Sequence, residues 1–212
     1  MNQVRAAFLA AAQSAVALLG DRAVAASWDQ PSALAKLAVG GLAGHLARQI
    51  LTVPLVLAAD MPQEKPVSLA DHYAMASWTD ASLDDEANVS IRRDSEREAA
   101  DGSAALAALA AAELEQLRRA LPAEPASRVV HLPWGPWSLS LDDFLLTRMM
   151  EIAVHSDDLA HSCAIPTPEL PPEVLDPVLA LLLRLAVRRH GATQVLRALS
   201  RAERAPVTIA AF

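Results

Sequence analysis

The sequence predicts an all-α protein, and three observations carry that expectation. Hydrophobic residues make up 53% of the 212 residues, with alanine and leucine in excess, which suits long helices sharing a core. Apolar residues recur at helical spacing over long stretches, each closed by proline, glycine or a capping side chain. Strand character is confined to residues 122–140 and, more weakly, to the last eight residues.

Residues 4–25 read as a first helix, closed by Ser27-Trp28-Asp-Gln-Pro31-Ser32, where serine and proline can start the next segment. The second helix carries Leu37, Val39, Leu42, His45, Leu46, Gln49 and Ile50, and Pro54 should bend or end it by removing a backbone donor. Residues 68–98 look helical but uneven. A third long helix follows Asp101-Gly102-Ser103 and ends at Leu121, with Arg118 and Arg119 complementing its dipole. Val129, Val130 and Leu132 alternate loosely, and Gly135-Pro136 supplies a turn between Trp134 and Trp137. Ser140 and Asp143 form a capping-box pattern that opens the fourth long helix. Pro166, Pro168, Pro171 and Pro172 read as a linker before a helix through Leu179 to Arg189, which stops at Gly191.

A net charge of −7, without any block of lysines or arginines, argues against a nucleic-acid surface. The one cysteine, Cys163, excludes an internal disulfide and suits a reducing compartment, where it reads as a small buried thiol rather than a nucleophile. Arg5 followed by an apolar run imitates a signal peptide, but Gln13, Ser14, Asp21 and Arg22 interrupt that run. No stretch reaches the length of an uninterrupted apolar membrane span. The expected location is cytoplasmic.

The most informative stretch is Arg148-Met-Met-Glu151-Ile-Ala-Val-His155-Ser-Asp-Asp158-Leu159. At about 100° per residue, Arg148, Glu151, His155 and Asp158 fall within a sector of roughly 80°, beside the apolar sector of Leu145, Met149, Ile152 and Leu159. Burying a carboxylate and an imidazole there demands strong partners. A glutamate and a histidine at i and i+4 can close on one divalent cation or form a local ion pair. The best third ligand is His45, in the apolar segment Gly40-Gly-Leu-Ala-Gly-His45, although a single histidine on an apolar face is more commonly a hydrogen-bonded core residue. His72, His131, His161 and His190 lack such an arrangement.

Trp28-x-x-Pro31-Ser32, the Val39-to-His45 segment and the Arg148-x-x-Glu151-x-x-x-His155-x-x-Asp158-Leu159 pattern together resemble the DinB-like superfamily, in its mycothiol-dependent maleylpyruvate isomerase N-terminal branch. The similarity spans about residues 4–163. It implies a four-helix bundle, expected here as antiparallel, over residues 1–165, with a short C-terminal helical extension over residues 166–212. It also implies that His45, Glu151 and His155 bind a divalent metal, commonly zinc, and that a low-molecular-weight thiol such as mycothiol acts near it.

Three nitrogen and oxygen ligands leave a coordination position open, as catalytic zinc sites do, and a thiol entering there becomes a thiolate near neutral pH. The expected activity is a metal-dependent thiol S-transferase acting on a small electrophile through that thiolate. Glu151, Asp158 and Arg148 are the candidate catalytic residues. Asp158 supports the His155 imidazole or caps a nearby loop, and Arg148 pairs with Glu151 or holds an anionic substrate. Maleylpyruvate isomerases carry a substantial C-terminal domain, and the fifty or so residues after the bundle here weigh against cis-trans isomerisation. Alternatives are that isomerisation, a metal-dependent hydrolase, or a non-catalytic metal-binding bundle. Trp28, Tyr73, Trp78, Trp134 and Trp137 could line a pocket mouth. The expected partners are the electrophile and the thiol cosubstrate, with neither nucleic acid nor membrane, and a homodimer is the candidate assembly.

Overall fold

The computed structural model describes residues 2–76 and 82–212, so Trp78 lies outside the described residues. In chain order the helices are α1 (Gln3–Leu19), α2 (Arg22–Ala26), α3 (Val39–Ala58), α4 (Leu69–Met75), α5 (Glu86–Glu98), α6 (Ser103–Ala120), α7 (Leu141–Ser162), α8 (Pro172–His190) and α9 (Ala192–Ser200). Strands β1 (Val129–His131) and β2 (Ser138–Ser140) form one small hairpin before α7. Four helices close a ring in which α1 packs on α7, α7 on α3, α3 on α6 and α6 on α1. Its core is Phe8, Leu42, Leu46, Ile50, Leu114, Leu117, Phe144 and Leu145, all essentially inaccessible to water. The chain is thus an all-α bundle. By composition α3 is long and apolar enough to cross a membrane, but most of that stretch is buried inside the protein.

Local chemistry moved several helix ends from where the sequence put them. The first helix stops at Leu19, and Asp21 caps a separate short helix by accepting the Ala23 amide at 2.7 Å. The second long helix starts at Val39, not at Ser32. The Ser32 hydroxyl instead donates to the Leu37 carbonyl at 2.8 Å, and Lys36 adopts a left-handed conformation, so residues 31–38 form a loop. Carbonyls of Gln30 and Trp28 then accept the amides of Val39 and Gly40, at 2.9 and 2.8 Å, in place of a side-chain cap. Pro54 does not end α3, which continues one turn to Ala58. There Arg128 donates to the carbonyls of Leu57 and Ala59, both at 2.9 Å, and so satisfies acceptors at the helix C-terminus. Pro172 opens α8 rather than belonging to the linker, as suits a residue without an amide proton.

The bundle is not antiparallel throughout. Buried Arg5, at the start of α1, donates to the Leu121 carbonyl just past α6 (3.1 Å), to the Pro125 carbonyl (2.9 Å) and to Asp142 at the start of α7 (3.1 Å). Arg128 holds the end of α3 at this same pole. Helices α1 and α7 therefore begin where α3 and α6 finish, and two of the four neighbouring pairs run parallel. The cause is the long crossover between α3 and α6, which contains α4 and α5 and carries the chain back along the bundle.

The crossover reaches closest at Gly44. A β-carbon there would collide with the Ser95 carbonyl oxygen, so only glycine lets α3 and α5 approach this far. The hairpin lies at the Arg5 pole, outside the ring of four helices, with Val130 paired to Leu139 and both facing the core. Helix α8 packs against α7 and α1 through Val174, Val178, Leu181 and Leu185. The tail forms no strand. It packs back on the protein, with Phe212 at 5.9 Å from the Tyr73 ring and His190 bonded to the Ala210 carbonyl at 2.8 Å.

Gly44→Ala is expected to destabilise the fold by about 1–3 kcal/mol, as overpacking does, measured by denaturant unfolding. Gly20→Ala, whose added carbon meets nothing closer than 3.6 Å, should leave stability nearly unchanged and serves as the control.

Candidate metal centre

The polar stripe of α7 faces α3 about 15 Å along the helix from its start, given 1.5 Å of rise per residue. Here one ligand atom from each of His45, Glu151 and His155 lies within 4.8 Å of the other two. Glu151 Oε2 is 3.1 Å from His155 Nε2 and 3.6 Å from His45 Nε2. The two imidazoles meet edge to face, with centroids 4.5 Å apart. Each of the three side chains is 15% exposed. For zinc bonds of about 2.0–2.2 Å in a tetrahedron, ligand atoms stand roughly 3.3 Å apart. The two distances bracket that edge, and two nitrogens with one oxygen form a donor set suited to an open zinc site. The residues fit the ion.

Both imidazoles also have a partner at Nδ1. His155 Nδ1 bonds Asp158 Oδ2 at 3.0 Å, one turn along α7. His45 Nδ1 meets the hydroxyl of Ser95 on α5 at 3.2 Å. Burial by itself would raise the Glu151 carboxyl. The hydrogen bond from His155, the His45 ring 3.6 Å away, and the charges of His155 and Arg148 outweigh burial and hold the carboxyl well below the usual carboxylate range. Burial disfavours a charged His155, yet its bonds to Asp158 and Glu151 prevail and push it up to about 9. Burial lowers His45, and the opposing pull of Glu151 does not restore it. These partners thus favour the charged form of His155, the neutral form of His45 and the ionised form of Glu151.

Arg148 sits beside this cluster without bonding into it. Its guanidinium donates to Gln49 Oε1 at 2.6 Å and to Thr147 Oγ1 at 3.2 Å. It lies 5.0 Å over the Trp134 ring and 5.4 Å over Phe144. Its charge reaches Glu151 through space. Of the aromatic residues singled out in the sequence, Trp134 thus touches the site's arginine. Trp28 packs on Gly40 at the start of α3. Trp137 donates from Nε1 to His72 Nδ1 at 3.0 Å, and buried Tyr73 stacks edge-on against His72. Cys163 is half-buried, and burial raises its thiol away from the reactive thiolate form.

Sequence reasoning passed over three residues near this centre. Gln49 follows His45 by one turn of the same helix, so its place on the polar seam was readable from spacing. Ser95 and His72 belong to the crossover helices, whose path no local pattern announces. His72 is buried, and its neighbours in charge are Arg148 and Glu151. His131, by contrast, is exposed on the hairpin beside Glu64.

The family described as the mycothiol maleylpyruvate isomerase N-terminal domain matches residues 9–160. The chain belongs to that family. This is the DinB-like branch that the Trp28, His45 and Glu151-to-His155 motifs resemble, and it links the protein to mycothiol, a small thiol. No curated protein and no solved structure matches the chain.

Burial, reinforced by Arg148, lowers the His72 imidazole from 6.5 to about 4, and in its neutral form it accepts the Trp137 indole proton. Between those two pH values the unfolded chain binds the proton and the folded chain does not, so stability falls as pH falls. His72→Gln keeps an acceptor but cannot titrate. Its unfolding midpoint should decline less steeply than the wild type's as pH drops from 6.5 toward 4, in urea titrations followed by tryptophan fluorescence.

Proposed function

We propose that the protein is a metal-dependent thiol S-transferase, joining a mycothiol-type thiol to a small electrophile at a site held by His45, Glu151 and His155. The observation that carries this reading is the convergence of those three donor atoms from two helices within 4.8 Å. A divalent cation held there, zinc by the donor set, would supply a Lewis-acidic position at which a thiol loses its proton near neutral pH.

The chain's own residues divide the remaining work. Glu151 provides the counter-charge that keeps a dication bound, and one carboxylate against two neutral imidazoles leaves the centre net positive. Asp158 holds His155 by its far nitrogen and so aims Nε2 at the cluster. Arg148, stacked on Trp134, puts a fixed cation beside the centre, where it favours an anionic group on the electrophile or the thiol. The acidic chain and the single cysteine support a cytoplasmic setting and a small-molecule partner rather than nucleic acid.

The family's description favours a second reading, a mycothiol-dependent cis-trans isomerase. In that reaction the thiol adds to a conjugated double bond and is later expelled unchanged. Thiol accounting separates the two, because S-transfer consumes one thiol per electrophile and isomerisation consumes none. A hydrolase would turn over without thiol.

Purified protein should hold one zinc per chain by elemental analysis. His45→Ala and Glu151→Gln should each weaken zinc at least as much as loss of an outer-sphere partner does, about 10–100-fold, and should abolish thiol-dependent turnover in parallel. Equal turnover by the Glu151→Gln variant or the chelator-treated protein would remove the metal from the reaction.

A further inference from the structure

We propose that Ser95 is a positioning residue that fixes His45 in its Nδ1–H tautomer and so turns a bare Nε2 lone pair toward Glu151 and His155. The inference rests on the metal-site reading and extends it to a residue of the crossover.

The reasoning is a count of protons. Ser95 is fully buried in the last turn of α5, so its hydroxyl must be satisfied inside the protein. A serine hydroxyl has one proton to give and two lone pairs that accept. That proton goes to the Ile91 carbonyl one turn back, at 2.7 Å. Toward His45 Nδ1, at the longer distance of 3.2 Å, the oxygen can then only accept. Nδ1 must therefore carry the hydrogen. A neutral imidazole protonated at Nδ1 is unprotonated at Nε2, which is the atom aimed at the cluster. At 3.6 Å, Nε2 stands beyond hydrogen-bonding distance of Glu151, as an unprotonated nitrogen facing a carboxylate should.

The fold brings the serine to this position. Gly44, the residue immediately before His45, is where α3 and α5 approach backbone to backbone, against the Ser95 carbonyl itself. Any side chain at that position would push α5 away and leave a hydroxyl as short as serine's out of reach. The two histidines are thereby supported differently. His155 leans on the Asp158 carboxylate of its own helix, which makes it the more basic ligand. His45 leans on a neutral hydroxyl from another helix, which sets its tautomer without adding charge.

Long-range ¹H–¹⁵N correlation spectra of histidine-labelled, metal-free protein at mildly alkaline pH report each ring's tautomer directly. The wild type should show His45 bare at Nε2. In Ser95→Ala, His45 should shift toward the Nε2–H form while the His155 signals stay in place. Zinc affinity, titrated with the metal alone, should fall about 10–100-fold, the usual effect of losing an outer partner. A wild-type His45 protonated at Nε2, or a Ser95→Ala variant with unchanged tautomer and zinc affinity, overturns the proposal. If the wild type binds no zinc at all, the metal-site reading fails, yet the tautomer spectra still decide what Ser95 does.

Discussion

Burying the Glu151 carboxylate between two helices is the constraint to which the rest of the centre answers. An isolated ionised carboxylate in such a place would cost several kcal/mol, so its charge must be met locally. His155 meets it from the same helix and Arg148 from one turn away through its field, while the His45 ring faces it from α3. Each of these then needs support of its own. Asp158 and Ser95 take the outer nitrogens of the imidazoles, and Gln49, Trp134 and Phe144 hold the arginine. The polar set thus extends across three helices and the hairpin, while the surrounding core is almost wholly aliphatic.

That set could not close without the path of the crossover. Because α3 and α6 both finish at the Arg5 pole, the intervening chain has to run back along the bundle, and α5 lies along α3 as it does so. Glycines at the start of α3 permit the close packing: Gly40 receives the Trp28 ring and Gly44 the α5 backbone. Small residues there would read in a sequence as poor helix formers. In the fold they allow a hydroxyl from one helix to reach an imidazole on another.

Two arginines, buried Arg5 and half-buried Arg128, organise the opposite pole. Arg5 gathers the ends of α1, α6 and α7, and Arg128 caps α3 after Pro54 has removed a backbone donor. Fixing this pole sets the register of α3 against α7. With ligands on both helices, a slip of one residue along either would shift a donor atom by about 1.5 Å, enough to spoil a metal's geometry.

Periodicity and capping chemistry, both local in the chain, determined what could be read from the sequence alone. They gave the four long helices, the Ser140 cap of α7, the hairpin turn, and the shared stripe of Arg148, Glu151, His155 and Asp158. His45 was legible only as a histidine on an apolar helix face, together with the motif resemblance. Tertiary structure decided the rest. It ran α1 parallel to α7, placed Ser95 against His45 and His72 under Trp137, and gave Arg148 to Gln49 rather than to Glu151. These contacts join residues 50, 65 and 99 positions apart, where no helical spacing relates one side chain to another. Helical spacing relates neighbours within a few turns, whereas such partners are set by how whole helices pack and by which backbone approaches a glycine allows.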